Sequence, residues 1–385
     1  MSDFYHVRKF PILVAMIIFS VASLGSSFVN NIWALVVLRC IQSAGSSCGQ
    51  SVCAGVIADC YPLEKRGSAF GKFFFGMFIG PLLGPIVGGF LIMSPIGWRS
   101  TFWFCFALGI FIFVLCFCCL PETYRDNEKF DKELPVVTDS KSAASSATDV
   151  QSIPEKVLIK RKNINPIAPF LLLRHPFVFL ASFVSGIAFG SMFAIETVIP
   201  EIYEKKYGFS SWQTGLSFLG AGVGNFLGSS LNGYLSDRLL MRARAKRGGQ
   251  AMVEDRLTAN LWPAGIFFIP LGLLMFGFMA EYQVSVWGSI VGFGIQCFGM
   301  NMLLTSTSAY LVDAMPGQGA SATAAGVLVR MTMSCVLTLV ANPMVAALGI
   351  GYTTVLLSGL SLLSMVMLLV LKMRGEQLRR WSGYA

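Results

Sequence analysis

Charge is scarce in this sequence: 13% of its 385 residues are Asp, Glu, Lys or Arg, against about 25% in a soluble domain. So few charges cannot cover the surface of a water-soluble chain of this length. Histidine is scarcer still. His6 and His175 are the only two, and both flank apolar segments, which leaves no histidine cluster for a metal centre. Ten cysteines are present, nearly all inside apolar runs. They read as small buried hydrophobes rather than a disulfide or metal framework, since the Cys118-Cys119 pair has no second pair to complete a site. Catalytic signatures are missing too. There is no Walker loop, no nucleophile elbow and no soluble segment large enough to house a reaction. These absences argue against an enzyme, against a bound cofactor and against a pump carrying its own nucleotide-binding domain.

What the chain does have is apolar length. Hydrophobic residues make up 55% of it, with 32 Phe, 39 Gly and 18 Met. A bilayer core of about 30 Å needs roughly 20 consecutive apolar residues per helix. Ten runs qualify: 11–30, 32–57, 69–93, 99–120, 177–200, 212–236, 258–280, 284–312, 319–347 and 351–372. The reading is an all-α membrane protein. If residue 1 is cytoplasmic, 24 Lys and Arg fall in cytoplasmic segments and three in outer ones, namely Arg99, Lys205 and Lys206. That asymmetry puts both termini in the cytoplasm. It also accounts for the +9 net charge without a nucleic-acid partner. The polar, Ser/Ala-rich stretch 121–175 reads as a largely disordered linker. It separates four spans (1–120) from six (176–385).

The two parts share an order of landmarks. Ser2-Asp3 with Arg8 precedes the first span, and Ser236-Asp237 with Arg242 follows the sixth. Asp59-Cys-Tyr-Pro62 closes the second span, and Asp313-Ala-Met-Pro316 closes the eighth. Internal repeats of this kind are common in transporters. Two spans precede the Asp237 loop in its half, and none precedes Asp3. The expectation is therefore a six-plus-six parent, of which this chain carries ten spans and lacks the first two.

Four stretches carry a family resemblance: Ser2-Asp-Phe-Tyr-His-Val-Arg-Lys9, Arg39-Cys-Ile-Gln42 (with Ser43 where Gly is usual), Gly76 through Gly89, and Pro121-Glu-Thr-Tyr124. Together they resemble the major facilitator superfamily, and within it the fungal twelve-span drug:proton antiporters of the quinidine-resistance and polyamine-exporter type. The resemblance implies a two-bundle fold and proton-coupled export of drug-like molecules or organic cations by alternating access. It also implies a monomer in the plasma membrane, whose partners are a small-molecule substrate, protons and lipid. A nutrient carrier and a non-transporting membrane protein remain the alternatives.

Particular residues then stand out. Gly76, Gly80, Gly84 and Gly88 form a smooth helical stripe interrupted by Pro81 and Pro85, and Gly220, Gly224 and Gly228 form another. Small residues let helices approach closely, and the two stripes are expected to pack on each other, either as a rocking seam or as plain tight packing. Arg39 lies inside a span, with Gln42 one turn later. A charged side chain in a bilayer is costly and hence a functional candidate; the resemblance implies a proton-coupling role, and snorkelling to the interface is the alternative. Arg330 falls roughly 16 Å into its span, so it either lines a cavity or pairs with a buried acid. Glu196 precedes Pro200 by four residues; a helix break there would suit a proton carrier, and an interfacial position is the other reading. Gln296 and Asn301 either line a wet pathway or bond helices together. Asp3, Arg8, Asp59, Arg66, Asp237, Arg242 and Asp313 are expected to form charge-paired gates at the cytoplasmic helix ends.

Overall fold

The computed structural model describes residues 7–61, 65–122, 168–246, 253–257, 260–315 and 318–383. Asp3 and residues 123–167 of the linker lie outside them. No strand occurs among the described residues. The helices are α1 (Lys9–Phe28), α2 (Ile32–Cys60), α3 (Arg66–Ile92), α4 (Arg99–Cys119), the short α5 (Ala168–Leu172), α6 (Pro176–Tyr207), α7 (Ser211–Ser217) and α8 (Leu219–Lys246). A 3-10 turn, Val253–Arg256, precedes α9 (Leu261–Glu281), which contains a π-helical turn at Ala264–Phe268. Then follow α10 (Val286–Ala314) and α11 (Gly319–Trp381).

Local chemistry sets the ends. Asn31 accepts a bond from the Trp33 N–H at 3.0 Å and starts α2 after a three-residue connection from α1. Pro176 opens α6, where its missing N–H costs nothing, and Gly208 closes it with φ +67°. Ser210 and Gln213 form a capping box for α7. Helix α6 runs unbroken through Pro200 to Tyr207. The break expected beside Glu196 is therefore absent: Pro200 lies on an exposed face and removes one backbone bond there, while Val198, Ile199, Ile202 and Tyr203 pack on the buried face.

Among the described residues, seven helices are long and apolar enough to cross a membrane: α1, α3, α4, α6, α9, α10 and α11. Helices α2 and α8 have the length, at 29 and 28 residues, but Arg39, Gln42 and the serines dilute the one, and glycines, asparagines and serines the other ahead of its charged end at Asp237. Helix α6 is buried over most of its length and packs chiefly on α11. Large apolar side chains elsewhere face outward, among them Trp33, Phe111 and Leu339, as suits a lipid boundary. The cysteines depart from the expected burial: Cys297 is buried, whereas Cys40, Cys60, Cys118, Cys119 and Cys335 are exposed. In lipid an outward thiol carries no hydrophobic penalty.

Helix α11 changes direction at Gly349, where φ is 81° and ψ is 166°. Its first arm runs beside α6, with Arg330 and Met333 against Gly186 and Leu337 against Gly190. The second arm returns along α9: Ile350 N–H donates to Glu281 Oε2 at 3.0 Å, and Lys372 Nζ donates to the Leu257 carbonyl at 2.8 Å. Only glycine adopts this backbone cheaply. Gly349→Ala is expected to cost about 1–3 kcal/mol, read as a lower thermal midpoint in detergent.

Candidate functional site

The N-terminal set, α1–α4, meets the later helices mainly where α3 packs on α8. The α3 side of this seam presents Gly71, Phe75, Leu82 and Pro85. A Cβ on Gly71 would lie 2.6 Å from the Ser229 carbonyl oxygen and 3.1 Å from Gly233 Cα. Leu82 fills the space left by Gly222, the Pro85 carbonyl abuts Gly215, and the Phe75 and Phe226 rings meet edge to face at 5.0 Å. The seam thus joins the two helices expected to pack, but not through their glycine stripes. A Cβ on Gly76, Gly80, Gly84 or Gly88 would meet nothing within 4 Å, since these residues sit one step round the helix from the contact face. Gly220, Gly224 and Gly228 face α10 instead, against Ile290, Gly294 and Phe298. Both stripes were legible in the sequence; which neighbour each faces was not.

At one end of the seam lies a cluster of four charges. Asp237 on α8 accepts the backbone N–H of Gly67 at 3.1 Å and of Ser68 at 2.8 Å. Its carboxylate therefore caps the positive N-terminus of α3, a helix of the other set. One residue earlier, Arg66 donates to Asp313 on α10 at 2.9 Å. Arg256, from the 3-10 turn, bridges both acids, at 2.9 Å to Asp237 and 2.7 Å to Asp313. Its side chain is 1% exposed, and that of Asp313 is 2% exposed. Burial by itself lowers the Arg256 pKa, and the Asp313 and Asp237 carboxylates more than offset it, leaving the pKa above its ordinary value. Gly67 makes room for this: a Cβ there would lie 2.5 Å from Asp237 Oδ1.

Several expected members of the gate fall elsewhere. Arg242 is exposed, and Arg256 is the cation beside Asp237. Nothing in the sequence distinguished Arg256 from the other basic residues of its loop. Asp59 pairs with Arg8 at 2.8 Å, both buried, entirely within the N-terminal set. Nearby Glu122 accepts the Arg8 and Lys9 backbone N–H groups at 2.7 and 3.1 Å, capping α1. Asp59 and Asp313, placed in one ring by their matching positions, therefore do different work: one ties α2 to the start of α1, the other ties α10 to α3.

The intramembrane polar residues are dispersed. Arg39 is exposed, lies over the Phe102 ring at 5.6 Å and donates to Gln42, which donates to Ser23 on α1 at 2.7 Å. Arg330 is buried with its guanidinium over the Phe189 ring at 5.1 Å. Gln296 and Asn301 are fully buried. Gln296 reaches Ser191 on α6 at 3.4 Å, and Asn301 reaches Asn225 on α8 at 3.2 Å. Asn232 bonds to the Met302 carbonyl and Ser306. These amides join α10 to its neighbours, as interhelical hydrogen bonds do in membranes. Glu196 is partly buried on α6 and makes no hydrogen bond or ion pair among the described residues.

The sequence pattern of the Major Facilitator Superfamily matches residues 1–336. The chain belongs to this superfamily. Relatives include the MFS transporter CpaT of Aspergillus oryzae, 32% identical over 96% of this chain and 74% of its own length. MFS-type transporter PenM of Penicillium rubens is 31% identical over 98% of this chain and 73% of its own. The MFS antiporter QDR3 of Candida albicans is 26% identical over 97% and 69%. In fold, the chain resembles the human organic anion transporter MFSD10, with a TM-score of 0.67 at 17% identity, covering 95% of this chain and 78% of that one. Within the superfamily frame the chain is a multi-pass membrane transporter for small molecules. The charge cluster then sits where its two helix sets meet.

Proposed function

We propose that the chain is a proton-coupled antiporter that exports drug-like molecules or organic cations by alternating access. The observation that carries this reading is Glu196, a carboxylate inside an apolar helix with no bonding partner among the described residues. An intramembrane acid without a fixed counter-ion suits reversible protonation. The likeness to the antiporter QDR3 supports it. Arg330 and Arg39 are the companion charges along the pathway, Arg330 acting on substrate or on the proton cycle. The Asp237–Arg256–Asp313–Arg66 cluster is the cytoplasmic gate, closed in this conformation. The protein acts as a monomer in the plasma membrane with both termini in the cytoplasm, divided into bundles at 1–120 and 176–385.

The test is transport of ethidium, a fluorescent organic cation, in reconstituted vesicles under an imposed pH gradient. Wild-type protein is expected to move ethidium against the proton flow, with the movement lost when a protonophore collapses the gradient. Glu196→Gln is expected to bring gradient-driven transport down to the level left after the protonophore, because the amide cannot exchange a proton. Transport that ignores the gradient would instead support a facilitative carrier.

A further inference from the structure

Arg256 holds the two acids of the gate, yet it comes from a four-residue 3-10 turn that would be a poor anchor alone. The turn is fastened from the far end of the chain. Arg379, near the end of α11, grips Glu254 with two parallel bonds, Nε to Oε1 and Nη2 to Oε2, both 2.9 Å. Both side chains are nearly buried, at 12% and 10% exposure. Such a fork fixes direction as well as distance. Gly375 makes room for it, since a Cβ there would lie 2.8 Å from Glu254 Oε1. Lys372 holds the next residue past the turn through the Leu257 carbonyl at 2.8 Å, and lies over the Trp262 ring at 5.7 Å. Glu254 and Arg256 are two residues apart on one tight turn, so the first cannot shift without moving the second.

We infer that Glu254 and Arg379 are positioning residues for the gate: the end of α11 sets the turn that aims Arg256 at Asp237 and Asp313. The closed state is thereby coupled to the end of α11, a helix that is not one of the two forming the α3–α8 seam, although it also packs on α2. This rests on the reading of the four-charge cluster as a gate. It does not depend on which substrate or ion is carried.

The test reads the gate directly. Ser68→Cys places a thiol beside Asp237, at the mouth of the seam. Its labelling by a membrane-impermeant maleimide is followed by mass spectrometry of that peptide in inside-out vesicles, so the ten native cysteines stay in place. Asp237→Asn, the control for the gate, is expected to raise labelling roughly tenfold, as a coupling of this order does. Glu254→Gln and Arg379→Gln should each raise it by about fivefold. Arg379→Lys, which keeps the charge but loses the fork, should fall between. Arg380→Gln, at an exposed pair with Glu376, should leave it unchanged. If Asp237→Asn raises labelling while the Glu254 and Arg379 variants match wild type, the positioning role is wrong. If Asp237→Asn has no effect, the gate itself is wrong. Should either Gln variant fail to reach the membrane, Arg379→Lys decides: wild-type labelling in that variant overturns the inference.

Discussion

Asp237→Ala is expected to abolish gradient-driven transport while the protein still reaches the membrane. The carboxylate serves both helix sets at once. It caps the first N–H groups of α3 at 3.1 and 2.8 Å and neutralises one side of Arg256 at 2.9 Å. Removing one partner of a buried pair costs about 3–5 kcal/mol. Asp237 is 16% exposed, and Arg256 keeps Asp313, so a loss on the order of 3 kcal/mol is the better figure. At 1.4 kcal/mol per decade, that shifts the closed-to-open ratio by about 100-fold. Within each helix set, Asp59–Arg8 and the α10 amides are untouched, so folding should survive. Asp237→Asn keeps an acceptor for α3 and should lose less. Transport rate and membrane abundance, measured side by side, separate a failed gate from a failed fold.

Gly71→Leu should have the second largest effect. The obstacles to a side chain at Gly71 are backbone atoms of Ser229 and Gly233, which cannot move aside as a flexible side chain could. Overpacking of this kind costs about 1–3 kcal/mol, and here it also wedges α3 from α8. Transport should be lost and the thermal midpoint lowered. The contrasting substitution is Gly80→Ala. It lies in the more conspicuous stripe, but a Cβ there meets nothing within 4 Å, so stability should change by no more than about 1 kcal/mol, in the direction of helix propensity. A reversed ranking of the two substitutions would overturn the assignment of the contact face.

The comparison of stripes shows what the sequence could and could not convey. Helical periodicity reveals that Gly76, Gly80, Gly84 and Gly88 share a face, and hydropathy reveals that the face lies in a membrane. Neither says which neighbour it meets, because that depends on how the whole helix is rotated in the bundle. The seam residues Gly67 and Gly71 keep the same four-residue step but form only a pair, and Gly233 falls out of step with the stripe on its helix. Charge behaved similarly. Asp237, Asp313 and Arg66 were legible because their positions in a repeat and at helix ends marked them. Arg256 was not, since a basic loop residue reads as ordinary positive-inside charge until three-dimensional packing buries it at 1% exposure. Glu254 and Arg379 lie 125 positions apart, beyond the reach of any local pattern. At Pro200 the local rule pointed to a break, and tertiary packing around α6 overrode it.

The central claim is that two helix sets open and close about the Asp237–Arg256 cluster. Spin–spin distance measurement between labels at Tyr61, at the end of α2, and Arg242, on α8, tests it most directly. Both positions are exposed and lie in different sets, and labels attached through non-natural residues leave the cysteines alone. Two distance populations are expected in the wild-type protein, with Asp237→Asn moving weight to the longer one. A single narrow distance, the same in both proteins, would contradict it.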